Sequence, residues 1–321
     1  MATPIRLVML GTGDFAVPTF ARLCDSGLNV VALITQPDRP QGRKQELIPA
    51  PIKMEAIARR IPVFQPERVN ADEGLTILKE LQPDLLVTAA YGQILSAEVL
   101  SLPRFGGVNL HGSILPAYRG AAPVAWAIRN GDPESGVTVI RMSPKVDAGG
   151  MIAFARTAIG PDETAGELES RLAVIGAPLV VESIEAIVSG TARILPQERS
   201  KVTKAPKLSK ADGVIDWSHP ARRIHDLVRA LQPWPTASTY WHPSGAGRAP
   251  TRVIIHRTRP VSGSASPGRA IDSPGNLLIG TGEEVLQVLE IQAVGSKRML
   301  TPDFLRGHPV MPGDRFSNVA E

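Results

Sequence analysis

The chain has 321 residues, 43% of them hydrophobic and 21% charged, with a net charge of +4. This describes a globular protein long enough for about two domains, and excludes collagen-like and disordered classes. A single cysteine, Cys24, excludes an internal disulfide and a cysteine-based metal site. No run reaches the roughly 18 apolar residues of a membrane span, and Gly11-Thr12-Gly13-Asp14 halts the first apolar run too early for a secretory leader. A cytoplasmic location with no membrane partner is therefore expected.

Ile5–Leu10 reads as a buried strand, Phe15–Ser26 as a helix and Asn29–Thr35 as a second strand, the opening βαβ of a doubly wound sheet. Gly11-x-Gly13-x-x-Ala16 matches a loose dinucleotide fingerprint, but the acidic residue expected after the second strand is missing, since Thr35-Gln36-Pro37 stands there. A nicotinamide oxidoreductase rests on that match alone. Residues 37–51 read as a long loop carrying Arg39, Arg43 and Lys44, with the character of a phosphate-contacting arm or of a solvated loop. Helices over Pro51–Arg60 and Ala71–Leu81 follow, with a short strand at Val63-Phe64 between them. A buried strand over Asp84–Ala90 then runs into Tyr91-Gly92-Gln93-Ile94-Leu95.

The next strand organises the chain. Val108 and Leu110 alternate with Asn109 and His111, so the amide and the imidazole share one face. Gly112-Ser113 ends the strand and Pro116 keeps the loop from restarting it. The pair can hold a small polar group, or can merely satisfy loop backbone. A helix over Ala121–Asn130 and strands over Gly136–Met142 and Met151–Arg156 come next. Asp147 lies in the small-residue connection between those two strands, and a helix over Thr164–Ser189 follows, with a bend expected at Gly176-Ala177-Pro178. Residues 191–206 read as a polar connector. Beyond a short helix at His219–Leu231, short strands with Gly/Pro/Ser turns form a small β-barrel or sandwich, and the tail after Phe316 is expected to be disordered. Residues 1–200 carry 19 Lys/Arg against 21 Asp/Glu (net −2), and residues 201–321 carry 16 against 10 (net +6). A basic second half suits a polyanion partner.

The run Asn109-Leu110-His111-Gly112-Ser113-Ile114-Leu115-Pro116, followed by Tyr118-Arg119-Gly120-Ala121-Ala122-Pro123, resembles the signature of enzymes that use 10-formyltetrahydrofolate. Asp147, within Val146-Asp147-Ala148-Gly149-Gly150, resembles the third member of their site. Gly11–Ala16, Thr35–Arg39, Tyr91–Leu95 and Lys207–Trp217 extend the likeness, over nearly the whole chain, to the methionyl-tRNA formyltransferase family. The Asp147 turn departs from the family pattern: Val146 and Ala148 flank the carboxylate, and Gly150 stands where an acidic residue or proline is common.

The resemblance implies a Rossmann-like doubly wound N-terminal domain with a C-terminal small, OB-like β-barrel. The expected boundaries are a catalytic domain over 1–190, a linker over 191–206, a tRNA-binding barrel over 207–316 and a tail over 317–321. It implies formyl transfer from 10-formyltetrahydrofolate to the α-amine of methionyl initiator tRNA, by a monomer without a metal. Catalysis is expected of Asn109, His111 and Asp147. Folate contacts are expected from Gln93, Ile94, Leu95, Ser113, Ile114, Leu115 and Pro116, and tRNA contacts from Arg39, Arg43, Lys44, Lys207 and Lys210. An amino-sugar nucleotide is the alternative acceptor, and a non-catalytic RNA-binding protein is the alternative outside the enzymes.

Overall fold

A computed structural model describes residues 4–41, 46–244 and 249–320. The chain divides into two compact units: one holds residues 1–123, 134–158 and 169–206, the other 124–133, 159–168 and 207–321.

The first unit is built on strands β1 (Arg6–Gly11) and β2 (Asn29–Ile34), with helix α1 (Val17–Asp25) between them. The expected loop at 37–51 instead holds a small hairpin, β3 (Arg39–Gln41) against β4 (Glu46–Ile48), in strands too short for any periodicity to announce. Arg43 and Lys44 lie outside the described residues. Then come α2 (Pro51–Ala58), β5 (Val63–Phe64), α3 (Asp72–Leu81), β6 (Leu85–Ala89) and a short helix that no sequence pattern announced, α4 (Ala97–Ser101), which Ser96 caps by accepting from the Val99 N–H. Strand β7 (Gly107–His111) precedes the two-residue β8 (Arg119–Gly120) and then α5 (Pro123–Arg129), which past its first residue belongs to the second unit. Next are β9 (Glu134–Arg141), β10 (Met151–Ala158), α6 (Ala165–Val188), unbroken through Pro178, and β11 (Lys204–Ala205).

The main sheet runs β10-β9-β7-β6-β1-β2-β5, with β7 through β5 parallel and β9 and β10 antiparallel. Strand β6 is buried along its whole length and β1 along all but its first residue, as expected for parallel strands covered on both faces, which is why they read as plain apolar runs. From β1 the chain moves outward through β2 and β5, then returns to β6 on the other side of β1. That reversal puts a crevice at the carboxyl ends of β1 and β6, the usual ligand position of such sheets. Gly11 pairs with Ala89 and Thr88 with Asn109, so the loops after β1, β6 and β7 leave the sheet at one edge.

The second unit holds α7 (Ala221–Ala230) and strands β12 (Ala237–His242), β13 (Thr251–Val261), β14 (Ala270–Ile271), β15 (Leu277–Gly280), β16 (Val285–Ala293) and β17 (Met299–Leu300), then α8 (Thr301–Gly307) and β18 (Arg315–Ser317). The antiparallel order is β14-β15-β16-β13-β12-β18. An antiparallel bridge between Arg269 and Arg315, with the Phe316 N–H donating to the Gly268 carbonyl at 2.7 Å, closes it into a barrel. Trp217, Trp241, Phe304 and Phe316 fill the core, Trp217 edge-on to Phe316. Both β18 and α8 lie past the last strand that alternation revealed. Ser317, expected at the start of a disordered tail, is the last residue of β18, which is fastened by Asp314 accepting from Trp241 Nε1, Ser244 N and Met311 N. Burial would raise the Asp314 pKa, but these hydrogen bonds outweigh it and hold the carboxyl below the usual range.

Two histidines of this unit are buried. His225 Nε2–H donates to the Pro161 carbonyl at 3.0 Å and its Nδ1 lies 3.1 Å from the Thr258 hydroxyl, while His256 Nε2 lies 2.9 Å from Gln292 Oε1. Burial pushes both imidazoles below their ordinary pKa, against the pull of those hydrogen bonds. The unfolded chain takes up protons near pH 6.5 while the folded one still resists them, so stability is complete above about 6.5 and falls as pH drops through the folded values. The urea midpoint is expected to fall between about pH 7.5 and 5.5, and His225→Gln is expected to flatten that dependence.

Candidate functional site

The last residues of β7 bring Asn109 and His111 to the carboxyl edge of the sheet. Asn109 is half-buried, and its Oδ1 accepts from the Thr88 hydroxyl of β6 at 2.7 Å. With the oxygen so held, the NH2 end is the one available to an acceptor. His111 is 5% exposed. Its Nε2 lies 2.9 Å from the Tyr118 carbonyl, which can only accept, so Nε2 carries the proton. Its Nδ1 lies 3.6 Å from Asp147 Oδ2.

Asp147 reaches this position from the turn between β9 and β10, with a left-handed φ of 48°. Its Oδ2 also accepts from the Gly120 N–H at 2.9 Å. Gly120 itself has φ 124°, and a Cβ there would stand 2.6 Å from the Ala205 carbonyl oxygen. Any other residue would push β8 off β11 and withdraw the donor. The three expected catalytic residues thus converge, and Asp147 Oδ1 bonds no protein group among the described residues.

The loop after β7 is fixed from beneath. Thr138 of β9 donates to the Ser113 carbonyl at 2.7 Å and accepts from the Leu115 N–H at 3.1 Å, and Ser113 Oγ donates to the Ala117 carbonyl. Ser113 and Leu115 are therefore buried supports, while Ile114 and Pro116 are half-buried. The β6 loop is treated similarly. Gln93 accepts from the Val69 N–H and donates to the Glu67 carbonyl, Leu95 lies in the core, and Ile94 is exposed. Of the expected folate contacts, Ile94 thus offers a side chain to solvent, and Gln93, Leu95, Ser113 and Leu115 brace the loops.

Of the expected tRNA contacts, Arg39 is exposed and paired with Glu67 in the first unit. Lys207 and Lys210 are exposed in the second. Several residues at the site carried no sequence signal. Thr88 and Thr138 read as ordinary strand threonines, and Gln197 sits in the polar connector. Its NH2 donates to the carbonyls of Asp147 and Gly149, both at 2.7 Å, and its Oε1 accepts from Arg119. The connector is thus tied to the first unit throughout: Leu195 bridges Met151 and β11 pairs with β8. Gly150, the departure noted in the Asp147 turn, lies where a Cβ would stand 2.3 Å from Ile194 Cγ2. Among the described residues no His/Cys/Asp/Glu group is arranged to hold a metal ion, and no helix is long and apolar enough to cross a membrane.

Comparison with known proteins bears on the family and the fold. The formyl transferase family model matches residues 5–184, and the formyl transferase C-terminal domain model matches residues 207–309. The methionyl-tRNA formyltransferase of Moorella thermoacetica is 42% identical over 97% of this chain and 98% of its own, and that of Geobacter metallireducens 39% identical over 98% and 99%. Among solved structures, the N-formyltransferase from Helicobacter canadensis in complex with folinic acid and dTDP-3-aminofucose superposes with a TM-score of 0.66 at 17% identity, covering 92% of this chain and all of that one. HypX from Aquifex aeolicus in complex with tetrahydrofolic acid superposes with a TM-score of 0.62 at 18% identity, covering 96% of this chain and 48% of that one. At such identities these structures speak for the fold, whereas near-full-length identity to the curated relatives speaks for the family: the chain belongs to the methionyl-tRNA formyltransferases.

Proposed function

We propose that the protein transfers the formyl group of 10-formyltetrahydrofolate to the α-amine of methionyl initiator tRNA, for translation initiation in the cytoplasm, as a monomer that needs no metal. The observation that carries the reading is the convergence of Asn109, His111 and Asp147 at the crevice edge in a chain of this family.

The amine attacks the formyl carbon, a C–N bond forms and an oxyanion develops. Asn109 Nδ2 donates to that oxygen, an interaction worth about 3–4 kcal/mol at such sites. The α-ammonium gives up two protons on the way to the amide: one ends on N10 of the departing folate, whose bond to the formyl carbon breaks, and the other leaves to solvent. Asp147 Oδ1, free of protein partners among the described residues, is the group placed to receive a proton from the amine. His111 Nε2 is spent on the Tyr118 carbonyl, so Nδ1 is the nitrogen left to pass a proton between Asp147 and N10. Folate is assigned to the loops of Gln93–Leu95 and Ser113–Pro116, with backbone groups and the Ile94 side chain making the contacts.

The division of labour follows the charge. Residues 1–190 carry the chemistry, 191–206 join the halves, and the barrel over 207–316, with Lys207 and Lys210, contacts tRNA phosphates together with Arg39, Arg43 and Lys44. The test offers the purified protein 10-formyltetrahydrofolate with methionyl initiator tRNA, and separately with an amino-sugar nucleotide. Formylation of the tRNA alone is expected; formylation of the sugar alone would replace this reading with the alternative acceptor. Replacing Lys207 and Lys210 with Glu is expected to raise KM for charged tRNA and to flatten the salt dependence of binding, by about 0.7 to 0.9 in log–log slope per lost phosphate contact. Folate affinity should not change.

A further inference from the structure

We propose that Gln197 is a positioning residue for Asp147 and that, with Arg119, it makes the 194–205 segment part of the reaction centre. The inference rests on the functional reading above.

The Gln197 side-chain amide uses all its hydrogen-bonding capacity on three residues. Its NH2 spans the carbonyls of Asp147 and Gly149, each at 2.7 Å, and its oxygen takes both Nε and Nη2 of Arg119, at 2.9 and 2.7 Å. An amide with two donors and two acceptor sites filled cannot turn over without losing four hydrogen bonds. The contacts close on themselves. Arg119 lies in β8, and the next residue, Gly120, donates its N–H to the Asp147 carboxylate at 2.9 Å. Backbone and carboxylate of Asp147 are therefore tied to the same short strand, the backbone through Gln197 and the carboxylate directly.

That double attachment accounts for the Asp147 backbone. A left-handed φ of 48° at a non-glycine residue persists where the surroundings impose it. The frame that imposes it is anchored at both ends. Leu195 and Met151 exchange two backbone hydrogen bonds of 2.8 Å, β11 pairs with β8, and the Thr203 hydroxyl accepts from the Tyr118 N–H at 2.8 Å. Tyr118 in turn supplies the carbonyl that receives His111 Nε2–H. The same segment thus sets both partners of the His111–Asp147 pair.

Gln197→Glu tests this with little change of shape. Glutamate still accepts the Arg119 fork, but it turns an acceptor oxygen toward two carbonyl oxygens and drives the turn away. A displacement of about 1 Å at such a centre costs on the order of 10²-fold in rate. The expected result is a fall in kcat of that order with KM for both substrates near wild type, and a smaller fall for Arg119→Lys. The second readout is independent of activity: the 15N shifts of the His111 imidazole should move in Gln197→Glu, because they report the contact of Nδ1 with Asp147. If Gln197→Glu does not fold, Gln197→Met, which has the length but no donor and only a weak acceptor, is measured in its place. A folded variant with wild-type kcat and unmoved His111 shifts would overturn the proposal. So would a fall in kcat matched by equal rises in both KM values with the shifts unmoved. A wild-type protein that formylates no tRNA would overturn the functional reading instead, and the imidazole shifts would then decide the role of Gln197 alone.

Discussion

Replacing His111 or Asp147 with Ala is expected to lower kcat for formyl transfer by about 10²–10⁴-fold, the range of a lost acid–base group. Asn109→Ala is expected to lose about 10²–10³-fold, as for one oxyanion donor. The reason is shared geometry. Asp147 Oδ2 faces His111 Nδ1 at 3.6 Å, while the other histidine nitrogen is held by Tyr118 and the Asn109 amide by Thr88. Two groups that pass one proton are lost together when either is removed, so the double variant His111→Ala/Asp147→Ala should lose far less than the product of the single losses. Single-turnover rates with saturating folate and charged tRNA measure this, with circular dichroism to establish that the variants fold. Losses that multiply in full would mean that His111 and Asp147 act on separate steps.

The second large effect concerns stability. Arg229 of α7 is 4% exposed; it pairs with Asp226 at 2.8 Å and donates to the carbonyls of Gly160 and Glu163 at 3.2 and 3.0 Å. Asp226 is equally buried and also accepts from Arg222 at 3.2 Å. Removing one partner of such a pair strands the other charge away from water, which typically costs about 3–5 kcal/mol. Asp226→Asn is therefore expected to lower the unfolding free energy by that amount, read as a fall in the urea midpoint. Replacing both partners with apolar residues should cost much less, because no charge is then left without a counter-charge. These contacts also explain why residues 159–168 belong to the second unit. A chain cut at Lys207 would part Arg229 from the two carbonyls it serves.

The central strands were legible because burial on both faces leaves a plain apolar signature, as at Leu7–Leu10 and Leu85–Val87. Asn109 and His111 could be placed on one face because a strand alternates. Most elements of two or three residues were not legible; Val63-Phe64, set between two helices, is an exception. The hairpin strands at Arg39–Gln41 and Glu46–Ile48, the strand at Arg119–Gly120 and its partner at Lys204–Ala205 are too short for any period, and the last two exist because a distant segment supplies the hydrogen bonds. The basic side chains of residues 37–51 drew attention to charge, while the pairing of Arg39 with Ile48 gave Arg39 a backbone frame.

By itself, then, the sequence determined the parallel strands, the barrel strands β12 to β16, the shared face of Asn109 and His111, and the family signature, all of which follow from local alternation, apolar runs and motif. Only the tertiary structure decided which nitrogen of His111 faces Asp147, that Ser113 and Leu115 brace the loop from within, and that Gln197 and Arg119 hold the Asp147 turn. The physical reason is separation along the chain. Gln197 lies 50 residues from Asp147 and 78 from Arg119, so its hydrogen bonds leave no trace in any local pattern and arise only when the fold brings those segments together.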